Sequence, residues 1–171
     1  MEATPKELVP DGIPLSELKS ADADALLARC GGAVLMLSLG GMVPPRLLER
    51  TRTQQEIPDV TGESVLYIVP IRKRDGGNGP ILVGRASTND VVINDVTLSK
   101  LHAFIRESSE GFVIEDGGSK NGTYVEHAEV AKRGEGPATP IRSSATVRFG
   151  TVSALFLVQK DLRKVLFDSR G

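Results

Sequence analysis

The feature that most constrains this chain is a train of short, β-branched and aromatic runs that starts after residue 62 and continues to residue 158. The runs occupy 65–69, 81–83, 91–93, 103–105, 112–114, 123–125, 146–149 and 154–158, with Gly, Pro, Asn, Asp and Ser gathered between them. Such residues fit a pleated, half-buried surface, and many short strands punctuated by turn formers favour an antiparallel sandwich. The glycine-rich pieces 74–80 and 133–137 fall between runs and are expected to be exposed connections.

The first 60 residues read differently. Residues 20–31 suggest a short helix: Ser20 is suited to cap it, Asp22 and Asp24 lie in its first turns, Arg29 in its last, and Gly31 supplies a left-handed stop. A second helix is expected from Pro44-Pro45 through Arg50, since proline is tolerated in a first turn. Between them, 33–39 is an apolar run broken only by Ser38, and periodicity alone does not decide whether it is strand or helix. The polar stretch 51–62, containing Pro58 and Gly62, looks like a linker. Apolar Leu162, Val165 and Leu166 share one helical face near the end of the sequence. The expected organisation is a partly helical extension over 1–50, a linker over 51–62, a sandwich over 63–159 and a short helix or tail over 160–171.

Composition narrows the function class. With 40% hydrophobic and 25% charged residues the chain has the makeup of a folded domain, and a net charge of −1 gives no whole-chain attraction to nucleic acid or an anionic membrane. Any basic site must be local. Cys30 is the single cysteine, so no internal disulfide forms. The first seven residues lack the basic start and apolar core of a secretory signal, and no apolar stretch approaches the roughly 20 residues of a spanning helix. A cytoplasmic location without membrane insertion is the expectation. Catalytic readings have little material. No Walker-type or dinucleotide-binding glycine motif is present, one cysteine and two histidines make a poor zinc set, and Cys30 has no histidine near it in sequence.

Three polar clusters interrupt the strand pattern: Gly84-Arg85, Ser99-Lys100-Leu101-His102 and Asn121-Gly122-Thr123. Each follows or precedes a predicted strand, where loops converge. In this order and spacing they resemble the forkhead-associated (FHA) family, the likeness extending more loosely to 89–93 and 115–119 and covering about 64 to 158 of the chain. The resemblance implies an all-β, FHA/SMAD-like sandwich of about 10 to 11 strands whose loops bind phosphothreonine in an extended peptide. It implies a non-catalytic adaptor in Ser/Thr-kinase signalling, with a phosphothreonine-bearing protein, a kinase or its substrate, as partner and no cofactor or metal.

The chemistry of the residues suits that role. Phosphothreonine carries about −1.5 to −2 charge and three strong acceptor oxygens. Arg85 offers a planar, permanently charged fork, Ser99 a hydroxyl donor, Lys100 a point charge, and Asn121 a carboxamide able to pair with peptide backbone. Gly84, His102, Gly122 and Thr123 are expected to shape the loops: His102 as a buried neutral imidazole with both nitrogens bonded, Gly122 at a positive φ, Thr123 opening a strand. Lys120 stands where the family commonly has serine or threonine, so it either replaces a neutral phosphate donor by a charged one or faces solvent. Glu126-His127 replaces an Asn-Gly turn, and Ser144-Ala145 a Gly-Asp pair, changes that touch sandwich edges more than the pocket. His127 is expected to be an exposed turn residue. The alternative is a phosphate-independent assembly module that uses the extension as its docking element.

Overall fold

The computed structural model describes residues 5–14, 23–39 and 65–167, and among these it contains twelve strands and three helices. The helices are α1 (Pro5–Leu8), α2 (Ala23–Cys30) and α3 (Gln159–Phe167). The strands are β1 (Ile13–Pro14), β2 (Ala33–Leu39), β3 (Val65–Ile71), β4 (Ile81–Gly84), β5 (Val91–Val92), β6 (Ala103–Ser108), β7 (Gly111–Asp116), β8 (Thr123–Val125), β9 (Ala128–Glu129), β10 (Thr139–Ile141), β11 (Thr146–Phe149) and β12 (Val152–Val158). They form a seven-stranded sheet in the order β1-β3-β2-β12-β11-β8-β9 and a five-stranded sheet in the order β10-β7-β6-β4-β5. Every pairing is antiparallel except β4 with β5. The all-β sandwich is as expected, with twelve strands in place of 10 to 11.

Alternation along the strands builds the core. Ala154 and Phe156 of β12, Leu35 and Leu37 of β2, and Ile105 and Ile114 of the smaller sheet are all buried in one cluster. Phe156 meets Phe112 of the opposite sheet edge to face at 5.3 Å.

The ambiguous run 33–39 is a strand, and it lies between β3 and β12 in the larger sheet. The sandwich therefore does not begin at residue 63. Strand β2 lacks alternation because both its faces are covered. Val34 and Met36 are fully buried yet lie outside the inter-sheet cluster, as do Ile68, Leu155, Leu157, Leu162 and Cys30. Helices α2 and α3 pack against β3, β2 and β12 and against each other, giving this outer face its own apolar layer. Residues 5–14 are likewise part of the fold: Val9 is buried in the core, β1 pairs with β3, and the Leu8 carbonyl accepts the Asn94 amide at 2.7 Å. The expected helix over 20–31 occupies 23–30 and stops at Gly31 with φ 69°. Ser20, the helix expected from Pro44 and the linker 51–62 lie outside the described residues. No helix among the described residues is long and apolar enough to cross a membrane.

Two non-glycine turns adopt the left-handed backbone that glycine ordinarily supplies. The two-residue β8–β9 connection holds Glu126 at φ 50° and His127 at φ 84°, and Ser144 sits at φ 77°. Glu126 recovers something through its carboxylate, which accepts the Thr146 amide at 3.1 Å.

Candidate functional site

Three loops meet at one end of the sandwich: 85–90 after β4, 93–102 after β5, and 117–122 between β7 and β8. Gly84 permits the first contact. An ideal Cβ there would lie 2.3 Å from the Lys100 carbonyl oxygen, so only glycine lets these backbones touch. The two loops are then stitched together by the Arg85 amide on the Ser99 carbonyl at 3.0 Å and the Ala86 amide on the Lys100 carbonyl at 3.2 Å. Buried Asn89 completes the seam, its side-chain nitrogen donating to the Ala86 and Lys100 carbonyls at 2.9 and 2.6 Å.

Arg85 emerges half-buried from this seam. Its Nε donates to the Leu98 carbonyl at 3.1 Å, which aims the guanidinium while its two terminal nitrogens have no protein partner among the described residues. The adjacent carbonyl, Thr97, accepts the side-chain nitrogen of Asn121 at 2.8 Å. Consecutive carbonyls of one loop thus orient two side chains from two other loops. Asp95 stiffens that loop by accepting both the amide and the hydroxyl of Thr97, at 2.8 and 2.6 Å.

His102 joins the loops from beneath. Its Nδ1 accepts the Ser99 amide at 3.0 Å, so in the neutral ring the proton is on Nε2, which donates to the Gly122 carbonyl at 2.9 Å. The ring is fully buried and meets Phe149 edge-on at 5.8 Å. Burial pushes its pKa below the ordinary histidine value, outweighing the Gly122 carbonyl and the Asp116 charge that favour protonation.

The 117–122 loop is organised by Asp116, 2% exposed, whose carboxylate accepts four hydrogen bonds: the Gly118 and Ser119 amides at 2.9 Å, and the Ser119 and Thr123 hydroxyls at 2.6 Å. Burial opposes its charge, but the four donors prevail and hold its pKa below the usual carboxylate value. Ser119 in turn accepts the Gly122 amide at 3.0 Å, and Gly122 turns at φ 86°. Ser99 is then met from this side: its hydroxyl oxygen accepts the Lys120 amide at 3.0 Å, leaving the hydroxyl hydrogen available to a ligand.

Arg85, Ser99, Lys100, Lys120 and Asn121 all line one open cavity of about 490 Å³. Three cations and no carboxylate face it, although the chain as a whole carries −1. The geometry invites an anion. The four residues expected to shape the loops lie behind it: Gly84 at the backbone contact, His102 and Gly122 bonded to each other, and Thr123 opening β8 and anchored on Asp116. His127 is exposed in its turn, away from the cavity lining. Asn89, Asp116 and Ser119 also hold the loops, beyond the residues expected from the sequence. Asp116 with Ser119 three residues on is a legible Asx-turn signal, whereas Asn89 becomes meaningful only once its two carbonyl partners are in place. Cys30, the last residue of α2, is buried, and burial pushes its thiol up despite Arg72 and Arg29 nearby. No group of three His, Cys, Asp or Glu among the described residues is placed to hold a metal ion.

Part of the chain matches known proteins. The FHA-domain family model matches residues 81–150. The FHA domain-containing protein FhaB of Mycolicibacterium smegmatis is 38% identical over 72 residues, which is 42% of this chain and 46% of that protein. This chain therefore spans about half the length of the FhaB relatives it matches. Protein phosphatase 2C 70 of Arabidopsis thaliana is 27% identical over 120 residues, 66% of this chain but only 21% of the plant protein. The solution structure of an Arabidopsis thaliana FHA domain superposes with a TM-score of 0.46 at 21% identity, covering 74% of this chain and 86% of that one.

Proposed function

We propose that this chain, an FHA-domain protein, reads phosphothreonine in a partner polypeptide and acts as a non-catalytic adaptor in Ser/Thr-kinase signalling. The observation that carries the reading is the carboxylate-free cavity in which Arg85, Lys100 and Lys120 converge with Ser99 and Asn121. The terminal nitrogens of Arg85 are presented as a fork to two phosphate oxygens, the Ser99 hydroxyl donates to a third, and Asn121 registers the peptide backbone beside the phosphothreonine. Lys100 and Lys120 add positive charge around the dianion. Gly84, His102, Gly122 and Thr123 hold the loops. The proposed partner is a protein phosphorylated by a Ser/Thr kinase, or the kinase itself, met in the cytoplasm.

Titration calorimetry with a phosphothreonine peptide and its unphosphorylated twin tests this. Binding is expected only to the phosphorylated form, weakening as salt rises and as pH falls through the phosphate's second pKa near about 6. Arg85→Ala should abolish it, and Arg85→Lys should restore only part because the fork is lost. Equal binding by wild type and Arg85→Ala would overturn the reading.

A further inference from the structure

The family match begins at residue 81, yet the two loops that carry Arg85 and Ser99 are also held from outside it. Residues 5–14 reach both. The Leu8 carbonyl accepts the Asn94 amide at 2.7 Å, one residue past Ile93, whose own amide donates to the Gly84 carbonyl at 3.1 Å. The start of the 93–102 loop is thus fixed between Gly84 and Leu8. Four residues on from Asn94, the Leu98 carbonyl aims the Arg85 guanidinium.

The 85–90 loop is reached through Arg74. Its guanidinium pairs with Asp11 and donates to the Ser87 carbonyl at 2.9 Å, and its amide donates to Asp90 at 3.0 Å. The Lys73 ammonium and the Leu82 amide meet the same carboxylate at 3.0 and 2.9 Å, which anchors this loop on the chain just after β3. What seats residues 5–14 is apolar rather than ionic. Val9 is 2% exposed within the inter-sheet core, Leu8 packs against that core, and β1 pairs with β3. Gly12 closes the turn before β1, its amide donating to the Val9 carbonyl at 2.9 Å where a Cβ would strike the Val9 side chain at 2.7 Å. An exposed ion pair such as Asp11 with Arg74 adds direction more than strength.

Resting on the phosphothreonine reading above, we infer that residues 5–14 are a clamp on the phosphate-binding loops and that their seating sets the affinity of the site. Seated, the segment gives the Asn94 amide its acceptor and holds Arg74 toward Ser87, so Arg85 and Ser99 are presented in one geometry. Released, both loops return these groups to water and must be ordered again when a ligand binds, which weakens binding. Affinity then scales with the fraction of molecules whose clamp is seated. The coupling is reciprocal: bound phosphopeptide holds the segment down by the same factor by which the seated segment tightens the site. Asn94 and Arg74 are positioning residues, since neither lines the cavity.

Phosphothreonine-peptide affinity by fluorescence anisotropy and hydrogen exchange by mass spectrometry, both on the full chain, test the clamp. Val9→Asp sets a charge at a core position and should unseat the segment, lowering affinity by roughly fivefold or more, with Val9→Ala intermediate. Ile141→Ala, buried on β10 opposite Phe112 at the other end of β7 from Asp116, weakens the sandwich away from the clamp and should leave affinity within about twofold. Saturating phosphopeptide should slow exchange over 5–14 in the wild type and not in the Arg85→Ala protein. Should Val9→Asp fail to fold by circular dichroism, Val9→Ala against Ile141→Ala carries the comparison. Wild-type affinity in the folded Val9 variants, an equal loss in Ile141→Ala, or exchange over 5–14 that bound phosphopeptide leaves unchanged would overturn the inference alone. Binding that ignores the phosphate or Arg85→Ala would overturn the phosphothreonine reading beneath it. The clamp is then still read without ligand, by exchange over 93–102 that quickens in Val9→Ala and not in Ile141→Ala.

Discussion

Replacing His102 with glutamine isolates the element that joins the three loops. In the native ring Nδ1 accepts the Ser99 amide and Nε2 donates to the Gly122 carbonyl, both at hydrogen-bond distance, and the ring edge packs on Phe149. Glutamine can reach only one of these partners from the same backbone. Leaving the Ser99 amide unpaired costs about 1–3 kcal/mol, since it is held near a fully buried ring. Loss of the donor to Gly122 costs less, because that carbonyl also accepts the Gly150 amide at 3.0 Å. The lost edge-on contact with Phe149 adds about 0.5–1.5 kcal/mol. A total near 3 kcal/mol is expected in urea unfolding, a large share of the 5–15 kcal/mol typical of a domain. The same variant should lose its pH slope. His102 titrates below the ordinary value of 6.5 in the fold because burial disfavours its charged form. As pH falls, the unfolded chain takes up the proton first, so the stability that neutral His102 contributes is full above about 6.5 and declines below it. Urea unfolding of wild type and His102→Gln from neutral pH down to about 5 reads both effects. A destabilisation under about 1 kcal/mol, or identical pH slopes, would refute the bridging tautomer deduced from Ser99 and Gly122.

Three further outcomes follow from the loop architecture. Asp116→Asn turns an acceptor of four hydrogen bonds into a group that faces donors with a donor, so thermal unfolding should show a loss of about 2–4 kcal/mol. Because the Asp116 pKa is lowered in the fold, its stabilisation is present above the ordinary carboxylate value of 3.8 and lost as pH falls through the folded-state value, a dependence the asparagine variant should lack. Gly84→Ala sets a Cβ against the Lys100 carbonyl oxygen and should destabilise by about 1–3 kcal/mol while weakening phosphopeptide binding more than an alanine substitution on the far sheet edge does, as calorimetry on both would register. His127→Gly relieves left-handed strain in the β8–β9 turn, with an expected gain of about 0.5–1 kcal/mol in chemical denaturation and unchanged peptide affinity.

Much of the outline was legible because it is local. Each short β-branched run needs only its own alternation and flanking turn residues to declare itself, and the runs from 65 to 158 became strands whose ends lie within three residues of those read. Ser144 and the Glu126-His127 pair were recognisable as departures at turn positions, and their positive φ angles show what the turns demanded. Arg85, Ser99, Lys100, Lys120 and Asn121, which line the cavity, were singled out in the sequence by their donor chemistry taken together with the ordered family resemblance.

Other features depended on what the chain packs against. Strand β2 has no alternation to read because α2 and α3 bury one face and the opposing sheet buries the other, so its apolar run is uninformative until both layers exist. Placing it between β3 and β12 made part of the supposed extension indispensable to the sandwich. Asn89 and the tautomer of His102 are decided by carbonyls and amides far away in sequence, which no local pattern encodes. The hold of residues 5–14 on the loops emerged in the same way: Leu8 and Asp11 are ordinary residues in the sequence, and only the fold sets them against Asn94 and Arg74. Sequence by itself determined which chemical groups and local elements the protein has. Tertiary structure decided which of them meet, because burial and hydrogen-bond partnership are properties of pairs brought together from distant parts of the chain.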